Sequence, residues 1–181
     1  MKVLLDTCVI YPTVMRQMLI GAARAGAYTP LWSARLIAEW QRAAIKLGPD
    51  GMAQAASEAA LLAAEWPQAE VRWPPALETR LWLPDPADTH VLAAAIAGSA
   101  DMIVTLNSKD FPRQILAEEG LSRSDPDAFL YGIWKAQPGM VESVAEAVLS
   151  EARRLGDTDW AMRPLMKKAR LPRLAKALMQ G

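Results

Sequence analysis

Residues 85–112 read DPADTHVLAAAIAGSADMIVTLNSKDFP, and this stretch decides the fold class. Asp85-Pro86-Ala87-Asp88 has turn chemistry and feeds a helix from His90 to about Ala97, with Gly98 as its stop. Met102-Ile103-Val104-Thr105 is a short apolar run between turn signals, as expected of a strand buried on both faces. A loop from Asn107 to Pro112 follows. The N-terminus repeats the strand pattern, with Lys2-Val3-Leu4-Leu5 ending at Asp6. Between them, the pattern predicts a helix from Val14 to Ala25 closed by Gly26 and an extended stretch at 27–32. A helix from Ala34 through Lys46 is then expected, capped by Ser33 and closed by Gly48. Asp50 or Gly51 opens an alanine-rich helix that runs to about Glu65 and stops at Trp66-Pro67. Val71-Arg72-Trp73 is a candidate strand, cut short by Pro74-Pro75. A helix from Gln114 to Glu119 ends at Gly120, and a brief strand is expected near Leu121–Arg123. Strands alternating with helices over short loops predict an α/β fold with a parallel sheet. From Asp127 the pattern is helical only, with breaks at Pro138-Gly139, Gly156, Pro164 and Pro172. The expected organisation is an α/β domain over residues 1–130 and a helical extension over 131–181.

Apolar residues make up 52% of the 181 and charged residues 22%, which supports a buried core and excludes global disorder. No apolar run approaches the roughly 18 residues of a membrane span. Asp6 interrupts the segment where a signal peptide would stay apolar. Cys8, the single cysteine, has no internal disulfide partner and cannot build a structural zinc site alone. A reduced, cytoplasmic, soluble protein is expected. The net charge is zero but unevenly spread: residues 1–150 carry 12 basic and 17 acidic side chains, whereas 151–181 carry 8 and 3. The basic end reads either as a nucleic acid contact or as a solvated helix face.

In open parallel sheets, functional groups gather beyond the carboxyl ends of the strands. Asp6 ends the first strand, while Asn107 and Asp110 follow a later one. Asp88 opens the helix between them, and Glu39 lies on an earlier helix. Converging carboxylates repel one another unless a cation is present, and hard divalent ions prefer oxygen ligands. Each acid also has a plainer reading. Asp6 and Asp88 suit helix caps, Asp85 an Asp-Pro turn, Glu39 a solvated charge and Asp110 a turn closure. His90 reads as structural rather than as a general base, and Cys8 as a small core residue.

The order and spacing of LLDTCVIYP (4–12), SARLIAEW (33–40), DPADTHVLAAAI (85–96) and IVTLNSKDFP (103–112) resemble the PIN-domain ribonucleases. Within them, the chain is similar to VapC-type toxins of prokaryotic toxin–antitoxin pairs. The resemblance covers roughly residues 1–130. It implies a three-layer fold with a central parallel sheet flanked by helices, here with a C-terminal helical extension. It also implies a Mg²⁺- or Mn²⁺-dependent endoribonuclease whose metal-binding and catalytic carboxylates fall on Asp6, Glu39, Asp88 and Asp110. Thr7 and Thr105 then match hydroxyls that orient a carboxylate or water, and Asn107 a polar ligand or water contact. The spacing favours Asp88 over Asp85, which is left near the rim. Hydrolysis leaving a 5′-phosphate and a 3′-hydroxyl is expected, as is a small antitoxin partner, with a homodimer as a further association. The alternatives are a catalytically inactive PIN-fold binding protein and a Mg²⁺-dependent phosphatase with Asp6 as nucleophile. The phosphatases in question usually need a second aspartate where this chain has Cys8.

Minimal members of the family end near residue 130, so the extension is an addition. Arg163, Lys167, Lys168, Arg170 and Arg173 are its candidate RNA contacts, unless they only face water while Leu165, Met166, Leu171, Leu174 and Leu178 dock the helices. Trp134 and Trp160 are candidate anchors for these helices. Trp32 and Trp40 flank the Glu39 helix and offer a groove for a partner, unless they are core.

Overall fold

The computed structural model describes residues 1–156 and 158–180. Its centre is a four-stranded, all-parallel sheet in the order β2-β1-β3-β4, flanked by helices. The strands are β1 (Lys2–Leu5), β2 (Thr29–Leu31), β3 (Met102–Val104) and β4 (Ser122–Ser124). β1 pairs Val3 with Pro30 of β2 on one side and with Met102 of β3 on the other. Pro30 lacks an N–H and sits on an edge strand, where the ladder tolerates the loss. Val3, Leu4, Leu5, Ile103 and Val104 are all at most 1% exposed, which explains why β1 and β3 read as unbroken apolar runs.

The chain groups into two compact units, and their membership does not follow chain order. The first joins Met1–Tyr11 to Thr29–Arg123. It holds α1 (Thr7–Ile10), α3 (Ala34–Ala44), α4 (Gly51–Glu65), α5 (Pro75–Arg80), α6 (Thr89–Ala97) and α7 (Arg113–Glu118). The second joins Pro12–Tyr28 to the chain from Ser124 onward. It holds α2 (Thr13–Arg24), α8 (Pro126–Ala136), α9 (Pro138–Leu155), α10 (Met162–Lys168) and α11 (Pro172–Ala177).

Local chemistry sets most boundaries. Gly26, Gly48 and Gly120 end their helices at φ values of 87°, 119° and 72°, which side chains with a Cβ rarely adopt. Ser33, 1% exposed, caps α3 by accepting from the Leu36 N–H at 3.2 Å. Ser33→Ala is expected to cost about 1 kcal/mol, read as a lower urea midpoint at unchanged slope. A fall of less than a few tenths would show that the cap contributes nothing.

Proline accounts for the main corrections. The expected strand at Val71–Trp73 does not form, and the only pairing near it is an isolated bridge between Trp32 and Glu70 among the described residues. Pro75 instead starts α5 at its first turn, where a missing N–H costs nothing. Pro138 and Pro172 begin α9 and α11 rather than merely breaking the chain, and Pro164 sits within the first turn of α10.

In the second unit Asp127, 5% exposed, accepts the Arg173 and Leu174 N–H groups at 2.9 and 3.0 Å. A side chain of α8 thereby caps the short α11. Trp134 ties α8 to α9 by donating to Glu142 at 3.2 Å, and Lys168 lies 4.7 Å over the Trp160 ring. Leu165, Met166, Leu171 and Leu174 are buried, Leu178 is half-buried, and Arg163, Lys167, Lys168, Arg170 and Arg173 are exposed. Trp32 and Trp40, each 2% exposed, are core, and Trp32 also lines a cavity of about 340 Å³ with Ala63, Trp66, Pro67, Glu70 and Arg72. No helix among the described residues is long and apolar enough to cross a membrane.

Candidate metal centre

With β2 outside β1 and β4 outside β3, the direction of winding reverses between β1 and β3. The carboxyl ends of those two strands therefore open a crevice. Asp6 stands one residue beyond β1, and its N–H still bonds to the Val104 carbonyl at 3.1 Å. Its backbone has the extended conformation of a helix cap, yet its carboxylate caps nothing in α1. Instead Oδ2 accepts from Thr105 Oγ1 at 2.6 Å and from Cys8 Sγ at 3.1 Å. These donors compensate a carboxylate that is only 8% exposed.

Cys8 is thus more than the core residue that its sequence context suggests. Its sulfur also accepts the Leu106 N–H at 3.2 Å and joins the ends of β1 and β3. Burial first, then the Asp6 charge, pushes the thiol up to about 12, so it stays a protonated donor at neutral pH. Nothing local announces this role, because Thr105 and Leu106 lie nearly a hundred residues away.

Asp85 does what an Asp-Pro turn predicts: its Oδ1 accepts the Ala87 N–H at 2.9 Å and caps a 3₁₀ turn over Pro86–Asp88. Asp88 precedes α6 but caps no N–H of it. Its Oδ2 accepts from Asn107 Nδ2 at 3.1 Å, while the Asn107 N–H donates to Thr105 Oγ1 at 2.9 Å. Carboxylate oxygens of Asp85, Asp88 and Asp110 lie within 4.8 Å of one another. Oxygens around an octahedral Mg²⁺ with bonds of about 2.1 Å stand about 3–4 Å apart, so this all-oxygen group fits a hard divalent cation with little adjustment. Burial pushes Asp88 up to about 6, helped in turn by the charges of Asp6, Asp85, Asp110 and Glu39. Four acids thus bear on the one carboxylate of Asp88.

Glu39, on α3, is held at both oxygens. Oε2 accepts from Thr7 Oγ1 at 3.0 Å, while Oε1 faces Arg35 Nε at 3.4 Å and His90 Nε2 at 3.2 Å. Arg35 also reaches Glu78 Oε1 and the Ala87 carbonyl, both at 3.4 Å. Of the four acids singled out by sequence, Asp88 and Asp110 fall in the close group. Asp6 and Glu39 stand outside it and act through their fields. Asp85 joins the group although its local pattern explains it fully as a turn residue. Cys8, Arg35 and His90 are the further participants that sequence reasoning missed.

A parallel α/β sheet with converging acids at its switch point defines a carboxylate-lined centre suited to a cation and a phosphate ester. The family model for the PIN domain matches residues 2–109, and the chain belongs to that family. PIN domains are generally nucleases that act on RNA and typically use a divalent metal, so a hydrolase is the class expected here. No curated protein and no solved structure matches the chain.

Proposed function

We propose that this protein is a Mg²⁺- or Mn²⁺-dependent endoribonuclease and the toxin of a type II toxin–antitoxin pair, working in the cytoplasm. The observation that carries the nuclease reading is the meeting of Asp85, Asp88 and Asp110 within 4.8 Å at the β1/β3 crevice, beside buried Asp6. Asp85, Asp88 and Asp110 would hold the ion, with buried Asp6 adding its charge beside them. When bound, the ion supplies Lewis acidity to the scissile phosphate and acidity to an attacking water. Thr105 and Cys8 fix Asp6 through Oδ2, and Asn107 fixes Asp88. Glu39, with Thr7 and His90 on its two oxygens, accepts a hydrogen bond from the attacking water rather than ligating the ion.

The toxin assignment rests on the four sequence motifs. Ile45, Leu47 and Met52, from 48% to 66% exposed around the α3–α4 junction, offer apolar surface to a small antitoxin. The exposed Arg163, Lys167, Lys168, Arg170 and Arg173 supply salt-dependent attraction for RNA.

The test incubates partner-free protein with mixed RNA in Mg²⁺, Mn²⁺ or EDTA, beside Asp6→Asn. Internal cleavage leaving 5′-phosphates is expected with either metal, and none in EDTA or with the variant. Cleavage that survives both would remove the metal centre from the account. Failure of titrated Mn²⁺ to bind would favour a binding module instead.

A further inference from the structure

His90 is buried at 1% exposure on α6, whose Leu92, Ala93, Ala94 and Ala95 are completely buried. An apolar side chain would fill such a position without desolvating an imidazole. Nε2 faces Glu39 Oε1 at 3.2 Å, whereas Nδ1 has no hydrogen-bond partner among the described residues. A proton on Nδ1 would be a buried donor with no acceptor, and a doubly protonated ring would carry the same orphan. The neutral Nε2–H tautomer puts the proton on the nitrogen that faces Glu39 Oε1 and leaves no orphaned donor.

Thr7 occupies the other oxygen of Glu39, so the carboxylate is clamped from two elements, α1 and α6. Arg35 approaches the same Oε1 but at 3.4 Å and from an exposed side chain that it shares with Glu78. His90 is therefore the buried one of the two groups beside Oε1. We propose that His90 is a positioning residue, whose Nε2–H fixes the Glu39 carboxylate beside the acidic group so that Glu39 can act on the water of the metal centre. This rests on the nuclease reading given above. His90 touches neither substrate nor ion and acts only through Glu39.

The experiment measures Mn²⁺ affinity of the RNA-free protein, together with kcat and KM, for His90→Leu, His90→Gln and His90→Asn. The amide nitrogen of glutamine reaches the place of Nε2, whereas that of asparagine lies nearer Nδ1. His90→Leu and His90→Asn are expected to lose about 10-fold or more in Mn²⁺ affinity or kcat with KM little changed, and His90→Gln to stay within about 3-fold of the parent. In a Glu39→Ala background, adding His90→Leu is expected to change neither quantity further. Nitrogen NMR at neutral pH is expected to place the proton on Nε2. Parent-like His90→Leu, equal losses in the glutamine and asparagine variants, an undiminished effect without Glu39, or a proton on Nδ1 would each overturn the proposal. Should His90→Leu not fold, the glutamine–asparagine contrast decides. Asp88→Asn run in parallel separates the two readings. If it binds Mn²⁺ as the parent does, the metal centre itself fails; if it loses Mn²⁺ while His90→Leu keeps both affinity and kcat, only the role of His90 fails.

Discussion

Asp88→Asn is expected to slow RNA cleavage on the order of 10³-fold, about 4 kcal/mol of barrier, while making the metal-free protein more stable. The two effects share one cause. Asp88 lies among four other acids, and burial with their charges raises its carboxyl to about 6. A displacement of that size is worth about 3 kcal/mol at full strength, and water screening of the half-buried group leaves about 1. The sign follows from proton binding. With a folded value above the unfolded one, the ionised carboxylate destabilises the fold above pH 6, and this cost fades as pH falls through 6. The variant without metal should therefore melt about 2–4 °C above the parent at pH 7.5. The difference should shrink towards pH 5. His90 acts in the opposite sense, since a buried neutral imidazole with a lowered value loses stability as the unfolded chain takes up protons. Comparing the two proteins at each pH cancels that contribution. Saturating Mg²⁺ should reverse the order, because only the parent gains from binding. Melting curves at two pH values with and without metal check all of this, and a parent more stable than the variant without metal would refute the crowding of charge.

Phe111→Ala is expected to cost about 3–5 kcal/mol, a large share of the 5–15 kcal/mol typical of a folded domain. Phe111 is fully buried and immediately follows Asp110, so its ring anchors the loop that brings this acid to Asp85 and Asp88. The loss should appear as a lower urea midpoint at unchanged slope. Mn²⁺ affinity should fall about 10-fold in the fraction that remains folded, since Asp110 loses its fixed place. Unchanged stability would mean that the loop is held by other contacts. Unchanged affinity with lost stability would separate the anchor from the site.

Much of this protein could be read locally. The bounds of α4, the Ser33 cap, the glycine stops and the two central strands follow from periodicity, capping chemistry and the freedom of glycine to take positive φ. The reading was incomplete where one residue type serves two ends. The helices do break at Pro138 and Pro172, but Pro75, Pro138 and Pro172 each also start a helix, and the strand expected before Pro74-Pro75 does not form. A ring that fixes φ and lacks an N–H suits a first turn as well as an ending.

The chain by itself determined which segments become strands and helices and which acids follow them, because those choices depend on neighbours within a few residues. Tertiary structure decided which acids meet. Asp6 and Asp88 both stand in cap positions, and only the absence of a capped N–H distinguishes them from ordinary caps. Asp85 is a complete turn residue locally, yet it is carried into the acidic group. Cys8 reaches Thr105 and Leu106, and His90 reaches Glu39, across separations of about fifty to a hundred residues. Those encounters follow from strand order and helix packing, and their energies come from burial and from charges brought together in a low-dielectric crevice, quantities that no local pattern contains.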